Sequence, residues 1–174
     1  GDFAPRTELQ IGLLQYLLEP YDHVSCERVL SGSMGIPNIY RFLRDRGHVP
    51  ETPAIAEALK TGDAGSIISI AALEVSCPLC VQTLDVFCSI LGAEAGNLAL
   101  KTMATGGVFI GGGIATKILP LLQRPQLLKA LFAKGRFGDF MQKIPLRVIL
   151  NDRAALLGAA RHALHGAEAH RKKH

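Results

Sequence analysis

The chain has 174 residues, enough for one domain with a substantial core and few for two. Hydrophobic residues make up 48% and charged residues 20%, which excludes an intrinsically disordered chain. The formal net charge is +4. Three of the positive charges belong to the terminal run Arg171, Lys172 and Lys173, so the composition disfavours a nucleic-acid-binding protein.

The chain shows no targeting signal. No uninterrupted apolar run reaches the roughly 18 residues of a membrane-spanning helix. The first residues, 1–6, lack the basic and apolar regions of a signal peptide. Four cysteines without a secretion signal favour a reduced, cytoplasmic protein. Because the sequence begins with Gly1 rather than Met, we expect a processed chain or a part of a longer one.

Hydrophobic periodicity, capping residues and prolines predict mainly helices. Thr7, Asp63 and Pro78 stand at three of the expected helix starts. The predicted helices, in chain order, cover about 8–19, 33–46, 54–60, 64–75, 78–103, 114–122, 126–132, 137–142 and 154–164. Residues 23–32 are expected to form a connector, and short strands are predicted at 108–110 and 146–150.

The helix predicted from Pro78 to Met103 is apolar on nearly all sides, which is typical of a central helix. A stripe of small residues (Gly92, Ala95, Gly96 and Ala99) allows another backbone to pack closely against it. Helices interleaved with two strands indicate an α/β fold, rich in helix and with a small sheet. Two strands are too few for an independent sheet, so further strands are expected in weak signals or on chain beyond this sequence.

The most informative segment is 106–116, in which glycines flank a short apolar strand and a helix follows. Glycines and a helix start suit the close approach of a phosphate or nucleotide. The segment fails the dinucleotide-binding pattern, because Thr116 stands where a third glycine is needed. It also fails the Walker pattern, because Gly112 stands in place of the lysine. Two interpretations remain: a nucleotide seat made by backbone, or a structural turn packed on the Gly92 and Gly96 helix.

Five motifs in register resemble the C-terminal half of the bacterial glucokinase family, within the hexokinase and actin-like ATPase superfamily. They lie at 27–32, 96–100, 106–114, 134–137 and 156–159, and the opening residues 2–5 belong to the same pattern. The resemblance covers residues 2 to about 164. It implies a helix-rich portion of an actin-like ATPase domain, with residues 1–165 as part of the large domain and 166–174 as a polar, mobile tail.

The resemblance also implies a function, the phosphorylation of glucose by ATP with Mg²⁺ at the start of glycolysis, and commonly a homodimer. It places the adenosine side of ATP at Gly111, Gly112, Gly113 and Ile114, and a loop near the nucleotide at Ser31 and Gly32. It matches Glu27 to a glutamate that accepts hydrogen bonds from a sugar hydroxyl. Without the resemblance, Glu27 would be interpreted as a solvated surface carboxylate.

One departure from the family pattern is large. A Glu-Gly-Gly-His sugar-binding motif precedes the matched opening in the family, and the catalytic aspartate and first phosphate loop come earlier still. None of these is present in the 174 residues. We therefore expect no catalytic base in this chain, and little or no kinase activity from it alone. The other class of function is a non-catalytic binding or assembly module with the same fold.

Other chemically capable residues are interpreted as structural. Cys77 and Cys80 form a C-x-x-C pair at a helix start, but the further ligands of a zinc site and the preceding strand of a redox motif are missing. Asp85 and Glu94 lie about 13 Å apart along one helix, too far to share a proton. The terminal histidines are expected to be solvated rather than metal ligands: His162, His165, His170 and His174.

Overall fold

The computed structural model describes residues 1–47, 49–151 and 153–171, with side chains described as far as 164. In these residues the chain forms eleven α-helices and two strands. The helices are α1 (Glu8–Leu18), α2 (Glu27–Leu30), α3 (Gly35–Asp45), α4 (Pro53–Ala58), α5 (Ala64–Leu73), α6 (Pro78–Thr102), α7 (Gly113–Lys117), α8 (Leu119–Leu122), α9 (Pro125–Phe132), α10 (Gly138–Met141) and α11 (Ala154–Arg171). The strands are β1 (Val108–Ile110) and β2 (Leu146–Val148).

Three differences from the predicted elements have local causes. The expected connector contains the single-turn helix α2, since Leu30 N donates to Cys26 O at 2.8 Å. The helix predicted at 114–122 is split into α7 and α8 at Ile118, and Pro120, which has no N–H to donate to a preceding carbonyl, lies in the first turn of α8. Helix α11 continues to Arg171, past the predicted end near Leu164.

The capping predictions at α1 and α5 are confirmed. Thr7 accepts a hydrogen bond from Gln10 N at 3.2 Å, and Asp63 accepts one from Ser66 N at 3.2 Å. Each side chain satisfies a donor that the first helical turn leaves without a backbone partner.

Helix α6 is the centre of the fold, as predicted, and packs against α3, α5 and α9. It is long and apolar enough to cross a membrane by length and composition, but 67% of its most apolar window is buried in the protein, as in a core helix. The small-residue stripe fits α9 closely. A Cβ on Gly92 would overlap the carbonyl oxygen of Leu127, and one on Gly96 would lie 2.8 Å from Leu131 O.

A half-buried lysine closes the end of this helix pair. Lys134 Nζ donates to Ala93 O at 2.8 Å and to Asn97 Oδ1 at 2.6 Å, which joins the end of α9 to α6. Burial, followed by the nearby Arg6 charge, lowers the pKa of Lys134. The side chain therefore acts as a structural clamp, with its charge facing carbonyl and amide oxygens.

The strands β1 and β2 pair in parallel, with Val108 opposite Leu146 and Ile110 opposite Val148. Pairing extends one step beyond β2, since Ile149 N donates to Ile110 O at 2.8 Å. Helices α7 to α10 connect the two strands, which is the crossover that parallel strands require. The small sheet thus positions the glycine segment that follows β1.

Candidate functional site

The glycine segment forms a sharp turn between β1 and α7. Gly112 has φ 107° and ψ 160°, a backbone conformation open essentially to glycine alone. A Cβ built on Gly112 or Gly113 would meet no atom within 4 Å. The structure therefore leaves open space next to this backbone, rather than packing it on the Gly92 and Gly96 helix.

At Gly113, this backbone borders a cavity of about 670 Å³ with three walls. The first wall is α7, through Gly113, Ile114 and Lys117. The second is the loop that contains Gly32 and Ser33. The third is one face of α5, formed by Asp63, Gly65, Ser66, Ser69, Ile70 and Leu73.

Glycines allow the three walls to pack closely. A Cβ on Gly65 would overlap the carbonyl oxygen of Gly32, so α5 approaches the loop backbone directly. A Cβ on Gly32 would lie 3.5 Å from the Ile114 side chain, which is ordinary van der Waals contact. Gly32 therefore lies against the backbone of α5 and faces the Ile114 side chain of α7.

The structure brings part of the predicted nucleotide set together. Gly32, Gly113 and Ile114 line the cavity. Gly111 and Gly112 stand between β1 and Gly113 in the chain and are not among the lining residues. Ser31 is not among the lining residues. Its Oγ accepts hydrogen bonds from Met34 N at 3.3 Å and Gly35 N at 3.1 Å, so it caps the start of α3.

Sequence reasoning missed the α5 wall and Lys117. The lining positions of α5 recur at the spacing of one helical face, from Asp63 near its start to Leu73 at its end. The face changes from polar at Asp63 and Ser66 to apolar at Ile70 and Leu73. The sequence feature that could have indicated this wall is the presence of serines and a glycine in an otherwise apolar helix.

Glu27 is exposed at the first position of α2. Among the described residues, no side chain forms a hydrogen bond or ion pair with its carboxylate. The beginning of the chain lies beside it, since Gly1 O accepts from Cys26 N at 2.9 Å and Phe3 N donates to Val24 O at 2.9 Å. The Glu27 carboxylate is therefore available to a ligand next to residues 1–3.

The cysteine pair is buried, in agreement with a structural role. Cys77 and Cys80 are both 0% exposed, and Cys80 N donates to Cys77 Sγ at 3.4 Å at the start of α6. Burial, followed by the hydrogen bond with Cys77, raises the pKa of the Cys80 thiol. A buried thiol with a raised pKa is a poor nucleophile.

The remaining candidates have structural partners in the described part of the chain. Asp85 pairs with Arg124 at 3.6 Å, and Glu94 accepts from Asn97 Nδ2 at 3.0 Å. Over the described residues, no group of three His, Cys, Asp or Glu side chains is arranged to hold a metal ion. His162 is exposed there, whereas the predictions for His165, His170 and His174 fall on side chains outside the described residues.

Comparison with a solved structure defines the class of fold. The crystal structure of a glucokinase from an Antarctic psychrotroph superposes with a TM-score of 0.76 and 32% sequence identity, over 92% of this chain and 47% of that one. The chain has a helix-rich α/β fold with a small parallel sheet, and this fold matches the glucokinase structure. The fold is therefore a portion of an actin-like ATPase domain.

The sequence model of the glucokinase family matches residues 1–166. This chain is 47% identical to a glucokinase of Nostoc punctiforme, 42% identical to one of Synechocystis and 39% identical to one of Escherichia coli. Each alignment covers 92% of this chain. The chain belongs to the glucokinase family. It spans about half the length of the curated relatives it matches, 50% of the Nostoc punctiforme protein and 47% of the Escherichia coli protein.

Proposed function

We propose that this chain is the part of an ATP-dependent glucokinase that holds the adenosine side of ATP and one sugar-binding carboxylate. The reaction is the phosphorylation of glucose to glucose 6-phosphate, in the cytoplasm. Family membership supports the reaction. The cavity that unites Gly32 with Gly113 and Ile114 is the observation that carries the nucleotide assignment.

The cavity suits an adenosine in size and chemistry. Its volume of about 670 Å³ lies within the usual range of small-molecule sites, roughly 300–1,000 Å³. Ile70, Leu73 and Ile114 offer apolar surface for a base, and the glycine turn allows the ligand to approach the backbone. The Lys117 side chain is exposed at the wall, where a cation favours an anionic phosphate tail.

The sugar side follows from the position of Glu27. A charged oxygen acceptor holds a hydroxyl in a fixed orientation, which suits a sugar contact. The connector from Glu27 to Gly32 can span at most about 18 Å. One short segment therefore carries the proposed sugar contact at its beginning and a wall of the proposed nucleotide site at its end.

The chain's own contribution to catalysis is positioning. In phosphoryl transfer, orientation of the two substrates and exclusion of water supply much of the rate. The family aspartate that takes the proton from the attacking glucose hydroxyl has no counterpart here, and a general base typically supplies about 10²- to 10⁴-fold. Mg²⁺ bound with ATP would neutralise phosphate charge, with phosphate oxygens among its ligands. Over the described residues, no group of three His, Cys, Asp or Glu side chains is arranged to hold a metal ion.

The second candidate is a non-catalytic assembly module, and the surface of α11 favours it. Leu156, Leu157 and Leu164 are 70%, 57% and 67% exposed on this helix. An apolar helix face of this kind normally contacts another protein surface. Dimerisation, which the family resemblance implies, remains a prediction.

The proposal is tested with a chimera in which this chain replaces the corresponding half of the Nostoc punctiforme relative. A coupled assay with glucose and MgATP measures glucose 6-phosphate. We expect activity from the chimera and less than about one hundredth of that rate from the 174-residue chain alone, because the base and a phosphate loop are missing. Glu27→Gln in the chimera should raise the KM for glucose about tenfold and change the KM for ATP little.

Two results contradict the proposal. An ordinary kinase rate from the isolated chain would show that the chain contains a complete site. A folded chimera without activity, in which nucleotide still binds, would favour the assembly module.

A further inference from the structure

We propose that Ser69 is the residue that selects adenine over 6-oxopurines in the cavity between α5 and α7. This inference rests on the proposed function, since it requires that a nucleotide base occupies the cavity. It adds a property that the glycine turn cannot supply, because backbone groups beside a phosphate or ribose do not distinguish one base from another.

Ser69 lies on the cavity wall formed by α5 and is 4% exposed. Its Oγ donates a hydrogen bond to Gly65 O at 2.7 Å. A hydroxyl has one donor and two acceptor lone pairs, so while it donates to Gly65 O it can act toward a ligand only as an acceptor. Toward the cavity, Ser69 therefore presents a hydrogen-bond acceptor.

An acceptor at this position distinguishes the two kinds of purine. Adenine carries an amino group at its 6-position, which can donate to the Ser69 oxygen. Hypoxanthine and guanine carry a carbonyl oxygen there, and the Ser69 hydroxyl could pair with it only by rotating away from Gly65 O and losing that bond. Sites built to pair with one polar group discriminate strongly against a ligand that cannot pair.

The neighbouring positions fit a base at the level of Ser69. Leu73 lies one helical turn further along the same face, about 6 Å along the axis, and Ile70 lies beside it. These side chains and Ile114 of the opposite wall supply apolar contact for the base. The polar Asp63 and Ser66 lie toward the start of α5, at the end of the cavity suited to the ribose.

A serine that donates to the carbonyl four residues before it is also common as a purely local contact in helices. If the serine has only this local role, its removal changes the stability of the protein and leaves the ratio of affinities for different nucleotides unchanged. The discriminating quantity is therefore the ratio of affinities for ATP and inosine triphosphate, which differ in adenine's 6-amino group and hypoxanthine's 6-oxo group with its adjacent ring proton.

The experiment titrates the ¹⁵N-labelled 174-residue chain with ATP and, separately, with inosine triphosphate, and follows amide shifts by NMR. We expect ATP to bind about tenfold more tightly than inosine triphosphate. Ser69→Ala should bring the ratio close to one, by weakening ATP binding. Ser69→Thr keeps the hydroxyl and should keep the preference, as should Ser66→Ala, which removes a more exposed hydroxyl from the same wall.

The outcomes separate the two proposals. Equal affinities in the wild-type chain, or a Ser69→Ala ratio unchanged from wild type, would overturn the role of Ser69 and leave the nucleotide site intact. A wild-type chain that binds neither nucleotide at millimolar concentration would overturn the nucleotide assignment and, with it, the role of Ser69.

Discussion

Gly112→Val in the chimeric glucokinase is expected to raise the dissociation constant for ATP by about tenfold or more. The backbone of Gly112, at φ 107°, is strained for any residue with a Cβ. Relief of that strain would move the adjacent Gly113, which lines the cavity. Calorimetry of ATP binding measures the change, and glucose affinity should remain within about twofold because Glu27 is on a different element.

Two glycine variants separate steric blocking from backbone strain. Gly113 lies on the cavity wall without a positive φ, and Gly106 lies on the far side of β1, also without one. A Cβ at either position would meet no atom within 4 Å. Gly113→Ala should therefore weaken ATP binding through ligand contact alone, whereas Gly106→Ala should leave it unchanged. An unaltered ATP affinity in Gly112→Val would show that the turn is no nucleotide contact.

Gly92→Ala is expected to destabilise the chain by about 3 kcal/mol and to lower the Tm by about 10 °C. The added Cβ would overlap the backbone carbonyl of Leu127, which no side-chain rotation can relieve. Helix α9 would have to move away from α6, and the Lys134 clamp at the end of this helix pair would be disturbed. Thermal unfolding followed by circular dichroism measures the change.

Gly158→Ala is the matched control for this prediction. Gly158 is also inside a helix, but a Cβ there would meet no atom within 4 Å. Alanine has the higher helix propensity, so stability should stay the same or rise by up to about 1 kcal/mol. Equal Tm values for Gly92→Ala and the wild-type chain would show that α9 does not pack on α6 as closely as described.

Much of the fold could be predicted because its signals are local. The caps Thr7 and Asp63, the apolar length of α6 and the glycines around β1 each act through a few neighbouring residues. The central place of α6 follows from its lack of a polar face. Parallel pairing of β1 with β2 depends on residues far apart in sequence, so only the α/β class was predicted.

The candidate site was predicted only in its backbone part. Glycines next to a strand are a recognisable signal, and three of the residues indicated by the family motifs, Gly32, Gly113 and Ile114, line the cavity. The α5 wall depends on Gly65, which lets α5 meet Gly32, and this contact joins residues of separate elements. The sequence did not indicate Ser69. A helical serine that lines a cavity and one buried in the core look the same in sequence, because the difference lies in the residues that face them.

The central claim is that the base of ATP occupies the cavity between α5 and α7, and photolabelling tests it most directly. The 174-residue chain is irradiated with 8-azido-ATP, and the modified peptides are identified by mass spectrometry, with excess ATP as competitor. We expect the label in residues 63–73 or 113–117, and its loss when ATP competes. A label elsewhere, or one that excess ATP does not displace, would contradict the account.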